Sequence, residues 1–180
     1  MDFYIIFEGI IDKDSTTKFY NAITQAKLQP NVKKIIILFS SLGGSIYEGF
    51  LLASVIHNSN IPISIHAFNH IDSIGNVIYL SAQERTSESY AKFYLHGASQ
   101  AGNFDEQGMI DALSAIVTNN SRIAYFISEN SNIPLKKVEK MMKTGTTISA
   151  QDALKYQIVH AIGHIQIPSS TSPTEIIYIN

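Results

Sequence analysis

The chain has 180 residues, a length that fits one domain, and it contains 45% hydrophobic and 16% charged residues. This composition excludes an intrinsically disordered chain, and the balance of 13 Lys and Arg against 15 Asp and Glu argues against a dedicated nucleic-acid binder. Cysteine is absent, which excludes a disulfide framework, a thiolate nucleophile and a Cys-ligated metal site. A covalent catalyst of this composition must therefore use a hydroxyl, an amine or a carboxylate as its nucleophile.

Strand-like and helix-like segments alternate in the first half of the chain. We predict strands at 4–7, 34–39 and 61–67, a helix N-capped by Asp14 or Ser15 that runs to about 27, a turn at 41–45 and a helix at 46–57. After a polar loop, residues 73–81 are predicted as a short apolar helix and residues 92–95 as another strand. Repeated β-α units with short links predict a mainly parallel sheet covered by helices.

The second half of the chain is mostly helical. We predict helices from 105 to about 129 and at 135–142, a capped helix start at Ser149 and a last strand at 164–167. Residues 168–180 are interpreted as a Ser- and Pro-rich linker followed by a strand-like tail at 176–179, which leaves one domain at 1–167. The N-terminus lacks a positively charged signal region and no apolar run is long enough to span a bilayer, so we expect a cytoplasmic protein that does not bind membranes.

Three places carry residues suited to chemistry. Gly43 and Gly44 follow a buried strand, where backbone N–H groups can face a ligand, although a plain strand-to-helix turn has the same pattern. Ser73 starts an apolar helix whose first N–H groups would stabilise a negatively charged carbonyl oxygen; the alternative is that Ser73 is merely an N-cap. His96 ends a strand, so its ring can emerge at the carboxyl edge of the sheet. The six histidines do not follow the helical zinc pattern, and we expect no metal and no cofactor.

Four motifs in this chain resemble those of ClpP, the proteolytic subunit of the Clp protease, over residues 4–167. The family's Ser-Pro-Gly-Gly turn resembles Ser-Leu-Gly-Gly at 41–44, and its Ala-Ser-Met-Gly segment resembles Asp-Ser-Ile-Gly at 72–75. Its Met-Ile-His-Gln-Pro segment resembles Tyr-Leu-His-Gly-Ala at 94–98, and its Met-Ser-Ala segment resembles Ile-Ser-Ala at 148–150. The resemblance implies an α/β fold of the ClpP/crotonase type, built from repeated β-α units with a helical handle region at about 97–130.

The same resemblance implies a function and a set of site residues. It implies a serine endopeptidase that cleaves unfolded polypeptides or peptides by acyl transfer, with Ser73 as the nucleophile and His96 as the general base. The N–H groups of Gly44 and Ile74 would form the oxyanion hole. It further implies a ring-based homo-oligomer, a heptamer or a tetradecamer, that assembles through the handle, and an AAA+ unfoldase as its partner.

Two departures from the family pattern bear on this interpretation. Gly145 stands where the family has the aspartate that orients the histidine, and the substitutes that remain open are a hydroxyl of Thr144 or Thr146, a backbone carbonyl or a carboxylate from elsewhere. The family's N-terminal helix and axial loop, which contact the unfoldase, have no counterpart before the first strand, and this counts against that partnership. The alternative function is a catalytically impaired subunit with a structural or assembly role. An acyl-CoA enzyme of the crotonase branch fits poorly, because it needs no Ser-then-His arrangement.

Overall fold

The computed structural model describes residues 1–167 and 176–179 of the chain. Its strands are β1 (Asp2–Ile11), β2 (Lys34–Gly44), β3 (Ile63–Asp72), β4 (Glu84–Ser87), β5 (Lys92–Leu95), β6 (Thr146–Ser149), β7 (Ala161–Ile162) and β8 (Ile176–Ile179). Its helices are α1 (Lys13–Leu28), α2 (Ile46–His57), α3 (Gly75–Leu80), α4 (Glu106–Glu129), α5 (Leu135–Thr144) and α6 (Ala150–Lys155). The linker predicted before the tail lies outside the described residues.

The strands form one mixed sheet with the order β6-β5-β3-β2-β1-β8. Strands β8, β1, β2, β3 and β5 run parallel, whereas β6 pairs antiparallel with β5. Strand β3 serves two neighbours on the same side: residues 64–67 pair with β4, and residues 70–72 pair with β5. This branch brings the carboxyl end of β5 next to the carboxyl end of β3, where Ser73 follows.

A continuous apolar core holds the centre of the sheet. The alternate residues Ile35, Ile37 and Phe39 of β2 are fully buried, as expected of a strand covered by helices. The Phe7 ring lies between Phe19 of α1 and Phe39, with ring centroids 5.2 Å and 5.1 Å away. Close packing of this kind resists local deformation, so the strand ends above it are placed rigidly.

Sheet pairing makes three strands longer than the sequence predicts, and β1 spans Asp2–Ile11 where the prediction is 4–7. Strand β3 continues through residues 68–72, where a polar loop is predicted, because residues 70–72 pair with β5. Strand β2 likewise continues through the predicted turn to Gly44, which pairs with Ile11. Strands β4, β6 and β7 are not predicted at all, since each has at most four residues and is defined by its pairing.

The ends of several elements test the predicted caps. The predicted caps of α1 are wrong: Asp12 caps this helix by accepting from the Ser15 N–H at 2.8 Å, while the Ser15 hydroxyl lies 3.0 Å from the Asp12 N–H. The helix starts at 105 and Ser149 are confirmed, because both side chains cap the helix that follows. The strand predicted at 164–167 is wrong, since the last strand before the tail is β7, which pairs with β4.

Candidate active site

Ser73 occupies a strained turn between β3 and α3. Its φ is 55°, in the left-handed region that non-glycine residues rarely adopt. The Ser73 N–H donates to the carbonyl of Tyr94 at 2.9 Å, which ties the turn to β5. The Asn76 side-chain amide donates to the carbonyls of Ile71, Ser73 and Tyr94 at 3.0–3.1 Å and so holds the turn from below. A strained backbone held by surrounding bonds is typical of functional positions.

The simpler interpretation of Ser73 as an N-cap is wrong. The N-cap of α3 is Ile74, which makes no side-chain capping bond, and the Ser73 hydroxyl has no hydrogen-bond partner within residues 1–167 and 176–179. The hydroxyl is half-buried and next to the start of a helix. It is therefore available for another role.

Gly43 is the glycine that contacts Ser73. With φ at 93°, a Cβ added to Gly43 would lie 2.6 Å from Ser73 Cβ and 3.3 Å from its Oγ. Any side chain at 43 would therefore fill the space beside the hydroxyl. Gly44 lies on the other side of the turn, where an added Cβ would overlap the carbonyl of Ile11. The sequence analysis names both glycines and predicts Gly44 as the oxyanion donor, and the structure adds that Gly43 is the one packed against the Ser73 side chain.

Two backbone N–H groups near Ser73 differ in their availability. The Gly43 N–H donates to Ser41 Oγ at 3.1 Å, and that hydroxyl donates to the carbonyl of Gly9 at 2.7 Å. The Ile74 N–H has no hydrogen-bond partner among the described residues, although the residue itself is fully buried. Close contact between Ile74 and Gly49 of α2 holds it in place. Ile74 thus offers a fixed donor, while Gly44 as a donor stays a prediction.

His96 comes one residue after β5, at the same sheet edge as Ser73. The pairing of Asp72 with Tyr94 puts both strand ends side by side. The Nδ1 atom of His96 lies 2.8 Å from the carbonyl of Gly97. Because a carbonyl only accepts, this contact requires a proton on Nδ1 and leaves the lone pair on Nε2. No hydrogen bond joins Ser73 Oγ to His96 in the described part of the chain, and such bonds often tighten only when substrate binds.

The structure places none of the predicted hydroxyl substitutes against His96. Gly145 ends α5 with φ at 65°, and it carries no side chain toward the site. The Thr144 hydroxyl donates to the carbonyl of Lys140 at 3.0 Å and lies 3.1 Å from the hydroxyl of Thr146. Of the substitutes left open by the sequence, the one that contacts His96 Nδ1 is therefore a backbone carbonyl.

Asp72 is a site residue that the sequence reasoning missed. Its side chain is only 15% exposed, its Oδ1 atom is buried without a partner among the described residues, and its Oδ2 atom lies 3.8 Å from His70 Nδ1. Burial raises the pKa of the Asp72 carboxyl, while His70 and His96 lower it. The alternation of side chains along a longer β3 would have revealed this residue, because His70 and Asp72 then share one face of the sheet.

Comparisons with known proteins identify the family and the fold of the chain. The family model for the Clp protease matches residues 1–166 of the chain. Among solved structures, a point mutant of ClpP1 from Listeria monocytogenes superposes with a TM-score of 0.81 at 18% sequence identity, covering 91% of this chain and 92% of that chain. The structural similarity confirms the predicted ClpP/crotonase-type fold.

Proposed function

Because this chain belongs to the Clp protease family, we propose that it is a serine peptidase that cleaves unfolded polypeptides or peptides through Ser73 and His96. The observation that carries the proposal is the strained turn at Ser73, which keeps a serine where glycine would be relaxed and leaves its hydroxyl unbonded beside the end of β5. A serine with a free hydroxyl and a histidine at one sheet edge form a pair that nucleophilic catalysis can use, and strained backbone is typical of functional positions.

The reaction follows from the roles of these two side chains. Ser73 Oγ attacks the scissile carbonyl carbon while His96 Nε2 accepts the hydroxyl proton. The C–N bond then breaks as His96 returns that proton to the leaving amine, which leaves an acyl ester on Ser73. Water hydrolyses the ester with His96 again as the base, and the proton returns to Ser73 when the acid product leaves.

The developing oxyanion needs donors that are in place beforehand. The free N–H of Ile74 supports its role as one donor, and Gly44 is the proposed second donor. The Gly43 N–H reaches the same turn but is engaged by Ser41, so it becomes a donor only if that bond breaks. One fixed donor accounts for roughly a hundredfold or more in rate in comparable sites.

The missing aspartate lowers the expected activity less than its role in a triad suggests. In the serine protease example, replacing the acid by an amide costs about 10⁴-fold because the imidazole takes the wrong tautomer. A backbone carbonyl cannot donate, so Gly97 enforces the same tautomer as a carboxylate does. What it lacks is the negative charge that stabilises the imidazolium, and we therefore expect a slow enzyme with correct tautomer control.

Self-association fits the distribution of apolar side chains. Helix α4 exposes large apolar residues along its length: Met109, Ile110, Leu113, Val117 and Tyr125 are 56–63% exposed. Apolar surface of this extent on a helix marks an interaction site. We propose a ring-based homo-oligomer, a heptamer or a tetradecamer, in which this handle helix contacts other subunits. A cytoplasmic location is the corresponding proposal for the compartment. The family implies an AAA+ unfoldase as partner, and the second departure from the family pattern given above counts against it. Within residues 1–167 and 176–179, no helix combines the length and apolar character needed to cross a bilayer.

One observation favours a second function, that of a catalytically impaired subunit with a structural role. At position 145 the chain has a glycine, and the carboxylate next to the nucleophile, Asp72, has Oδ2 within 3.8 Å of His70 Nδ1. A subunit without catalytic activity would keep the fold and the assembly surface while losing the charge that supports the base.

A fluorophosphonate probe distinguishes the two functions. We expect the purified, assembled chain to be labelled on Ser73 and to hydrolyse an unstructured protein, with both signals lost in Ser73→Ala. Ser54→Ala is the matched control, because this serine is exposed on α2 and lies outside the proposed site. Native mass spectrometry reports assembly in the same samples. An assembled protein that takes no label would overturn the peptidase and leave the structural subunit.

A further inference from the structure

Tyr94 lies between the proposed base and the position where the family's acid is missing. It is on β5, opposite Asp72 of β3 and opposite Thr147 of β6, and its side chain is half-buried. Its ring stacks on the imidazole of His96, with ring centroids 5.0 Å apart and an interplanar angle of 27°. The Tyr94 ring is carried by β5, two residues before His96, and not by a loop.

The hydroxyl end of the same side chain fills the space next to Gly145. A Cβ added to Gly145 would lie 2.8 Å from Tyr94 Oη and 3.6 Å from two carbons of its ring. The backbone of Gly145 also has φ at 65°, which side chains rarely adopt. A side chain at 145 therefore requires the Tyr94 phenol to shift, whereas glycine at 145 leaves the phenol in this position.

The two contacts of His96 restrict its imidazole ring in different ways. The bond from Nδ1 to the Gly97 carbonyl sets the tautomer and one direction of the ring. That bond joins neighbouring residues, so by itself it leaves the ring free to tilt about the bond. The stacked Tyr94 ring limits this tilt and presents an aromatic face to an imidazole that becomes charged during the reaction.

We propose that Tyr94 is the positioning residue of His96, and that its phenol takes the space in which a carboxylate side chain at 145 would otherwise lie. This inference rests on the proposed peptidase function. The aromatic face supplies orientation and a weak attraction to the imidazolium, in place of the orientation and full charge of an acid. The size of the Tyr94 side chain thus explains the glycine at 145.

Three variants of the 180-residue chain test the positioning role, with the ring and the hydroxyl of Tyr94 changed separately. Tyr94→Phe keeps the stacked ring, and we expect its kcat for peptide hydrolysis to stay within about twofold of the unaltered chain. Tyr94→Leu removes the ring, and we expect kcat to fall about three- to tenfold with little change in KM. Tyr90→Leu is the matched control, because this tyrosine is 63% exposed, and it should leave kcat unchanged.

A fourth variant tests whether the phenol and the acid share one space. Adding Gly145→Asp to the unaltered chain should lower the rate of fluorophosphonate labelling, because the new side chain meets Tyr94. Adding it to Tyr94→Leu should raise the labelling rate above that of Tyr94→Leu alone, since the space is then empty and a carboxylate is supplied. A fall in both backgrounds overturns the shared-space inference. Equal kcat in Tyr94→Leu and the unaltered chain overturns the positioning role.

Nuclear magnetic resonance of ¹³C-labelled histidine keeps the positioning role testable even if the peptidase proposal fails. The imidazole protons of His96 lie over an aromatic ring, so their signals should show a ring-current shift. We expect this shift in the unaltered chain and in Tyr94→Phe, and its loss in Tyr94→Leu, with His96→Gln used for assignment. An unlabelled Ser73 with these shifts would refute the peptidase alone. A signal unaffected by Tyr94→Leu would refute the positioning of His96 by Tyr94.

Discussion

Two turns with left-handed backbone lie at the sheet edge that carries His96. They differ in the type of residue that adopts this conformation. Ser73, with φ at 55°, follows β3, and Gly145, with φ at 65°, precedes β6. Gly145 adopts this conformation at no steric cost, whereas Ser73 is one of only two non-glycine residues with positive φ in the described chain. The chain therefore accepts strain where a hydroxyl is needed and avoids it where Tyr94 already fills the space. The turn at Ser73 thus has lower stability and carries a hydroxyl, whereas the turn at Gly145 is relaxed and carries no side chain.

The strongest test of this difference is Ser73→Gly. We expect complete loss of fluorophosphonate labelling, because the hydroxyl is gone, together with a gain in stability of about 1 kcal/mol over Ser73→Ala, because glycine relaxes at positive φ. For a chain of this length the gain corresponds to a rise in Tm of roughly 2–4 °C, measured by thermal unfolding at fixed protein concentration. Equal Tm values for Ser73→Gly and Ser73→Ala would show that the turn at Ser73 stores no strain.

The second test adds a side chain to the relaxed turn. We expect Gly145→Ala to destabilise the fold by about 2–3 kcal/mol, since alanine is strained at this φ and its Cβ meets Tyr94 Oη. In a Tyr94→Leu background the steric part disappears, and the cost should fall to about 1 kcal/mol. A double-mutant cycle from urea unfolding measures the coupling. If the cost is the same in both backgrounds, the contact between these two residues does not explain the glycine.

The central strands could be predicted from the sequence, whereas the strand ends could not. Residues 34–39 form a β-branched apolar run long enough to identify a buried strand from local pattern alone. The polar ends of β2 and β3 become strand only through pairing with residues far along the chain. Such pairing leaves no local signal, so Asp72 was assigned to a loop and its place on the sheet was missed.

The candidate site likewise has a part that the sequence predicts and a part that it does not. Ser73 and His96 come to one sheet edge: His96 follows a strand that local pattern identifies, whereas Ser73 follows the part of β3 that pairing with β5 adds. The partner of the imidazole depends on the side chain of Tyr94 and the backbone at Gly145, which are adjacent only in the folded chain. The sequence shows that the family's aspartate is absent at 145. It does not show which side chain occupies that space, because packing between residues far apart in the sequence decides this.

The smallest expected effect concerns Asp72, the residue before the strained serine. Burial raises the pKa of its carboxyl above the value in the unfolded chain. The folded state then binds the proton more tightly, so stability is highest below the unfolded pKa and decreases as the pH rises through the folded pKa. Asp72→Asn removes the ionisation and should raise the free energy of unfolding near neutral pH by about 1 kcal/mol, a gain that vanishes below about pH 4.

Asp152 provides the matched control with the opposite sign. Hydrogen bonds from Lys155 and Ser149 lower the pKa of its carboxyl, so its stabilising effect is present at neutral pH and is lost on acidification. Asp152→Asn should therefore destabilise the chain near neutral pH, and thermal unfolding of both variants between pH 4 and pH 8 compares them. A gain for Asp72→Asn that does not change with pH would mean that its charge is not the cause. A gain that decreases as the pH falls would show that the buried charge of Asp72 destabilises the fold. The turn that presents the Ser73 hydroxyl would then have two destabilising features, this charge and the backbone strain of Ser73.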